Sequence, residues 1–144
     1  MFVSHFLGST PGVMNALPAV RLDLPLAGMT FDTMIAGFLI EPAARSLGLK
    51  TMAFNRLGVE MTEIDELIGK GKDQITMAQV PVAKAAPYAC ADVDMTLRLV
   101  KVLTSEMKER NLWPLFTDVE MPIVPVLVAM EEAGVMLDVP FLST

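Results

Sequence analysis

Tyr88 and Asp92 are the residues of this chain whose types and spacing point most directly to chemistry. They lie in the run Pro87-Tyr88-Ala89-Cys90-Ala91-Asp92-Val93-Asp94. Four residues apart on a helix, they project from one face. A carboxylate can hold a divalent metal, and a phenol beside it can orient a water. Together they make half of a phosphodiester-cleaving site. The plainer reading is a partly buried helix face. Against it stands the apolar setting, because an aspartate flanked by Ala89, Ala91, Val93 and Met95 is costly to bury without a metal or a donor.

Other candidates are weaker. Gly69-Lys70-Gly71-Lys72 can offer backbone N–H groups and ammonium ions to a phosphate, but it reads more simply as a solvated turn between helices. It lacks the glycine spacing and Lys-Ser/Thr ending of a P-loop. Asp118-Val119-Glu120 has an acid-x-acid spacing, yet it sits where carboxylates cap a helix start. Glu63, Asp65 and Glu66 read as an exposed acidic turn. Cys90, the single cysteine, excludes an intramolecular disulfide and reads as a small buried packing residue. Such usage suits a reducing cytoplasm. His5, the single histidine, excludes a His-rich metal site.

The elements that must position these residues are mostly helical. With 144 residues, 53% of them hydrophobic, the chain can bury a core of one domain, or of one domain and the start of another. Its net charge of −6 gives no electrostatic footprint for nucleic acid. No segment reads as a membrane span: the longest apolar run, near 122–130, is short and broken by Pro125. The first residues lack a signal-peptide pattern and read as a truncated start, with an irregular stretch at 8–12.

Thr30-Phe31 closes a short strand. Asp32 or Thr30 caps a helix with the stripe Met34, Ile35, Phe38 and Leu39, ended by Pro42. Ser46 caps a second helix that stops at Gly58. Thr62–Asp65 opens a short third one ending at Gly69, and Thr76–Gln79 is a further capping signal. A long helix over 83–110 carries Tyr88, Asp92, Met95, Leu99 and Val102, with Val93, Leu97, Val100 and Met107 beside them. So broad an apolar surface predicts burial on most sides. Trp113-Pro114 breaks the chain. Thr117–Glu120 reads as a capping box for a last helix through Pro122 and Pro125 to Gly134, and Val135 begins an extended segment.

Several blocks, in order, resemble one family. Phe31–Ala36, Ser46–Lys50 with Leu57-Gly58, Ile68–Thr76, Tyr88–Leu97 and Val119–Leu127 with Gly134–Asp138 look like the later half of the 3′–5′ exonuclease domain of the family A DNA polymerases, running into the polymerase domain. Tyr88-x-x-x-Asp92 matches the third exonuclease motif. The resemblance implies an α/β ribonuclease H-like fold, here truncated and predominantly α-helical with one or two short strands. It divides the chain into an uncertain stretch at 1–28, an exonuclease-like part at 29–112 and the start of a polymerase domain at 113–144.

The resemblance also implies a two-metal hydrolysis with Mg²⁺ or Mn²⁺, acting on single-stranded DNA 3′ ends. Asp92 would be a metal ligand and Tyr88 would hold the attacking water. Lys70 and Lys72 would contact DNA. The remainder of the polymerase chain would be the partner, with no membrane and a cytoplasmic location. The family's Asp-x-Glu is absent upstream of Asp32, and its second-motif aspartate falls near Asn15; Asp23 lies too close to Asp32. One matched carboxylate predicts an isolated chain that is inactive or nearly so: the first reading is a fragment whose activity belongs to the parent, and the second is an inactive exonuclease-like scaffold supporting the polymerase domain. An unrelated helical interaction module is a third reading, which the ordered blocks disfavour.

Overall fold

The computed structural model describes residues 2–4 and 29–142. His5, the stretch at 8–12, Asn15 and Asp23 lie outside them. Among the described residues the chain is predominantly helical, with two short strands, as expected. Strand β1 (Phe2–Ser4) pairs in parallel with β2 (Met29–Asp32), Phe2 facing Met29 and Ser4 facing Asp32.

Helix α1 (Thr33–Ile40) follows β2 directly. Asp32 is extended at φ −121°, and its Oδ1 accepts from the N–H groups of Met34 at 2.8 Å and Ile35 at 3.0 Å. Those bonds satisfy donors that a helix start leaves orphaned. Pro42 cannot continue the helix, so Glu41 closes it. Ile35, Ala36 and Ile40 turn inward, whereas Phe38 is exposed, so the expected stripe is rotated. Helix α2 (Leu49–Leu57) comes closest at Gly37, where a Cβ would stand 2.8 Å from Met52 Sδ and 3.3 Å from Leu47 Cδ2.

Gly58 ends α2 in the left-handed conformation, φ 66°, and its N–H closes back on the last turn. Ser46 does not cap α2. Gly48 holds the cap position, and the Ser46 hydroxyl accepts from the Gly48 N–H and bonds Thr51. The helix therefore starts two residues later than the sequence pattern implies.

Helix α3 (Asp65–Ile68) is one turn, with Glu66 Oε1 accepting from the Glu63 N–H at 3.0 Å and Gly69 at its end, φ 78°. That single bond starts at Glu63 rather than Thr62, and no side chain caps the helix, so the expected capping box does not form. Gly71–Asp73 and Met77–Gln79 form single 3₁₀ turns. The second is tied by Thr76, whose N–H and hydroxyl both reach Gln79 Oε1, at 2.8 and 3.0 Å.

Helix α4 (Val82–Glu109) is the backbone of the fold. Its buried residues are Met95, Thr96, Leu99, Leu103 and Met107. Recurring every three or four positions, they form one seam. Burial on most sides is not what the structure shows: Val93 and Leu97 are exposed, as is Cys90. Cys90 sits two residues from both Tyr88 and Asp92, about 200° round the helix from each, so it faces solvent when they face inward. Pro87, the sixth residue, lies inside the helix.

Two charged contacts lock α4 to its neighbours. Arg56 Nε on α2 meets Glu106 Oε1 at 3.1 Å, half-buried. Arg110 Nη1 donates to the Ile40 carbonyl at 2.8 Å, satisfying an acceptor at the end of α1.

Asn111, left-handed at φ 56°, turns the chain into α5 (Trp113–Ala133). Asn tolerates that conformation better than most residues. Pro114 lies in the first turn of α5, where its missing N–H costs nothing. The helix thus begins earlier than expected, and Thr117–Glu120 is an interior π-type turn, not a capping box. The Thr117 hydroxyl bonds back to the Trp113 carbonyl and to Asp118 Oδ1. Phe116 and Val124 enter the common core, Phe116 4.9 Å from the ring of Phe31 and 5.7 Å from that of Trp113.

By length and composition alone, the 21 residues of α5 are enough to cross a membrane. The three prolines that hid this in the sequence, Pro114, Pro122 and Pro125, all lie within the helix. Asp118, Glu120, Glu131 and Glu132 lie along it too, and its buried side chains face the core described above. Gly134 ends it, and Val135–Asp138 is irregular before α6 (Val139–Leu142).

Candidate nuclease site

Tyr88 and Asp92 lie on α4 one turn above its buried seam, both half-buried. Thr96, the next residue of that row, donates its hydroxyl to the Asp92 carbonyl at 2.7 Å. The row Tyr88, Asp92, Thr96 therefore continues into the core, which sets the direction in which the pair points. Asp94 turns away and pairs with Arg98 at 2.8 Å on the solvent side, as its offset of two residues requires.

The residue that meets the pair is Lys50, from the first turn of α2. Its Nζ lies 5.3 Å from the centre of the Tyr88 ring and 2.9 Å from Glu63 Oε2. An ammonium over an aromatic face is attracted by the ring quadrupole. Burial pulls the Lys50 ammonium down, but its hydrogen bond to Glu63 and the nearby Tyr88 hydroxyl outweigh that, and its pKa is raised. Asp92 shifts up as well: burial disfavours its charged form, and the attraction of Lys50 offsets only part of this.

That direction has a consequence for stability. A carboxyl whose folded pKa is raised adds stability below its ordinary value of 3.8, and the contribution is lost as pH rises through the raised pKa. At neutral pH the Asp92 charge is therefore a small burden. Asp92→Asn is expected to be more stable than the parent by roughly a few tenths of a kcal/mol at pH 7, a figure discounted for solvent screening. The advantage should fade below pH 3.8. Urea melts of both proteins at the two pH values test this; a clear destabilisation by Asn at pH 7 would contradict it.

Lys50 and Glu63 were not legible as site residues. Their partners come from another helix, and nothing in their local spacing marks them. The lysines expected to contact DNA are both exposed. Lys70 pairs with Asp65 at 3.2 Å, both exposed, and Lys72 lies exposed in the 3₁₀ turn that follows. Asp118 and Glu120 stand in the π-type turn of α5.

A two-metal centre needs several carboxylates converging on one point. No group of three or more His, Cys, Asp or Glu side chains is placed to hold a metal among the described residues. Among the described residues, Asp92 has beside it a phenol and an ammonium that is itself paired with Glu63, which does not fit a divalent pair.

Comparison with known proteins gives the arrangement its context. A family model described as 3′-5′ exonuclease matches residues 24–108, which include Tyr88 and Asp92. DNA polymerase I of Pseudomonas aeruginosa is 32% identical over 131 residues, 90% of this chain and 14% of that protein. DNA polymerase I of Chloroflexus aurantiacus is 42% identical over 122 residues, 83% of this chain and 13% of that protein. For the Treponema pallidum protein of the same name the figures are 35% over 107 residues, 74% and 10%. The chain thus spans about one seventh or less of the length of these curated relatives. With more than half of its residues matched, the chain belongs to the 3′–5′ exonuclease family of bacterial DNA polymerase I.

Proposed function

We propose that this chain is the exonuclease-like segment of a DNA polymerase I-type protein and that it does not hydrolyse DNA by itself. The observation that carries this is the company Asp92 keeps among the described residues: an ammonium from α2, and no group of carboxylates placed to hold a metal. In this reading the fold is the later part of a ribonuclease H-like α/β domain. Residues 29–112 form the exonuclease-like part and 113–144 enter the polymerase domain. Tyr88 and Asp92 are the third exonuclease motif, and Lys70 and Lys72 lie on the side facing DNA.

The parent protein synthesises DNA on a template in the cytoplasm. Where its other acidic residues are in place, it removes 3′-terminal nucleotides of single-stranded DNA with Mg²⁺ or Mn²⁺. Within that parent, the segment described here supports the polymerase domain as a scaffold. Its own residues hold geometry. The α4 seam and the Arg56–Glu106 and Arg110–Ile40 contacts keep the motif helix fixed against α1 and α2.

Incubating the chain with 5′-labelled single-stranded DNA and Mn²⁺ tests the proposal. The expected result is no 3′ shortening above the protein-free control. Shortening that disappears in Asp92→Ala would overturn it.

A further inference from the structure

Lys50 is anchored from two directions: Glu63 Oε2 holds its Nζ at 2.9 Å, and the face of Tyr88 lies 5.3 Å away. Its side chain is only 24% exposed, so the charge is not waving in solvent. Asp92 projects from the same face of α4 as Tyr88, one turn on. An ammonium, itself paired with Glu63, thus stands over the ring of the tyrosine that shares a helix face with the motif carboxylate.

We propose that the Lys50 ammonium takes the place of a divalent cation at this motif, balancing Asp92 from within the chain and keeping metal ions off it. The physics is charge against charge. A divalent ion approaching Asp92 meets an ammonium held in place by Glu63 and the Tyr88 ring. Glu63, the other carboxylate in reach of Lys50, is already engaged.

This inference extends the reading of the chain as a non-hydrolysing exonuclease relative. Free Mn²⁺, followed by its electron paramagnetic resonance signal in titrations of the full chain, separates the two. Lys50→Met is expected to bind Mn²⁺ about 5-fold or more tightly than the parent, because a repelling charge is gone and Glu63 is released. Lys50→Gln carries the same expectation, and Lys50→Arg, which keeps the charge, should match the parent. The gain should vanish in Lys50→Met combined with Asp92→Asn. Equal binding by the parent and Lys50→Met, at whatever strength, overturns the role of Lys50 and leaves the non-hydrolysing reading standing. Tight binding by the parent that Asp92→Asn abolishes overturns both.

Discussion

Phe116→Ala is expected to lower stability by about 3–5 kcal/mol, the range for emptying a buried aromatic site. Domains of this size are stable by only about 5–15 kcal/mol, so the variant should be close to unfolding at 37 °C. The reason is position as well as size. Phe116 is fully buried where α5 meets β2, with Phe31 on one side and Trp113 on the other. Each tilted ring pair adds to the plain burial of area. Phe116 also sits in the π-type turn, so its loss removes the anchor that fixes α5 on the fold. Val119→Ala, three residues on and 46% exposed, is the control, expected to change stability by less than about 0.5 kcal/mol. Urea denaturation of both variants gives the comparison. Equal effects would mean that α5 does not pack on the core through Phe116.

Leu99→Ala should cost about 2–5 kcal/mol, and Leu97→Ala, two positions away, less than about 1. Leu99 is fully buried at the middle of the α4 seam, whereas Leu97 is 49% exposed on another face. The contrast tests whether α4 uses one face or most of its circumference. It bears on the site as well, since the seam continues through Thr96 to Asp92 and sets the direction of the motif. A thermal melt showing both variants equally damaged would return α4 to the all-round burial that its sequence implies.

That implication is instructive. Val93, Leu97, Leu99, Val100 and Val102 ring α4 with apolar side chains, and no periodicity distinguishes the buried ones. Only the packing of α1 and α2 against one side selects Met95, Leu99, Leu103 and Met107. Features set by local chemistry were legible. Asp32 caps α1, glycines close α2, α3 and α5, and Gln79 answers Thr76, because each involves groups a few residues apart. Thr117–Glu120 misled because it has the composition of a cap. Pro114 had already started the helix.

The site divides along the same line. Tyr88 and Asp92 were legible as a pair because i, i+4 spacing on a helix needs no tertiary knowledge. Lys50 was not, since it reaches Tyr88 from a different helix and Glu63 from 13 residues away. Lys50 is nonetheless the residue on which the proposed substitution of an ammonium for a metal rests.

Anomalous diffraction from crystals soaked in MnCl₂ tests the central claim most directly, because it locates any bound metal atom by atom. The account predicts no anomalous peak at Asp92. A peak bridging the Asp92 carboxylate to a second carboxylate would contradict it.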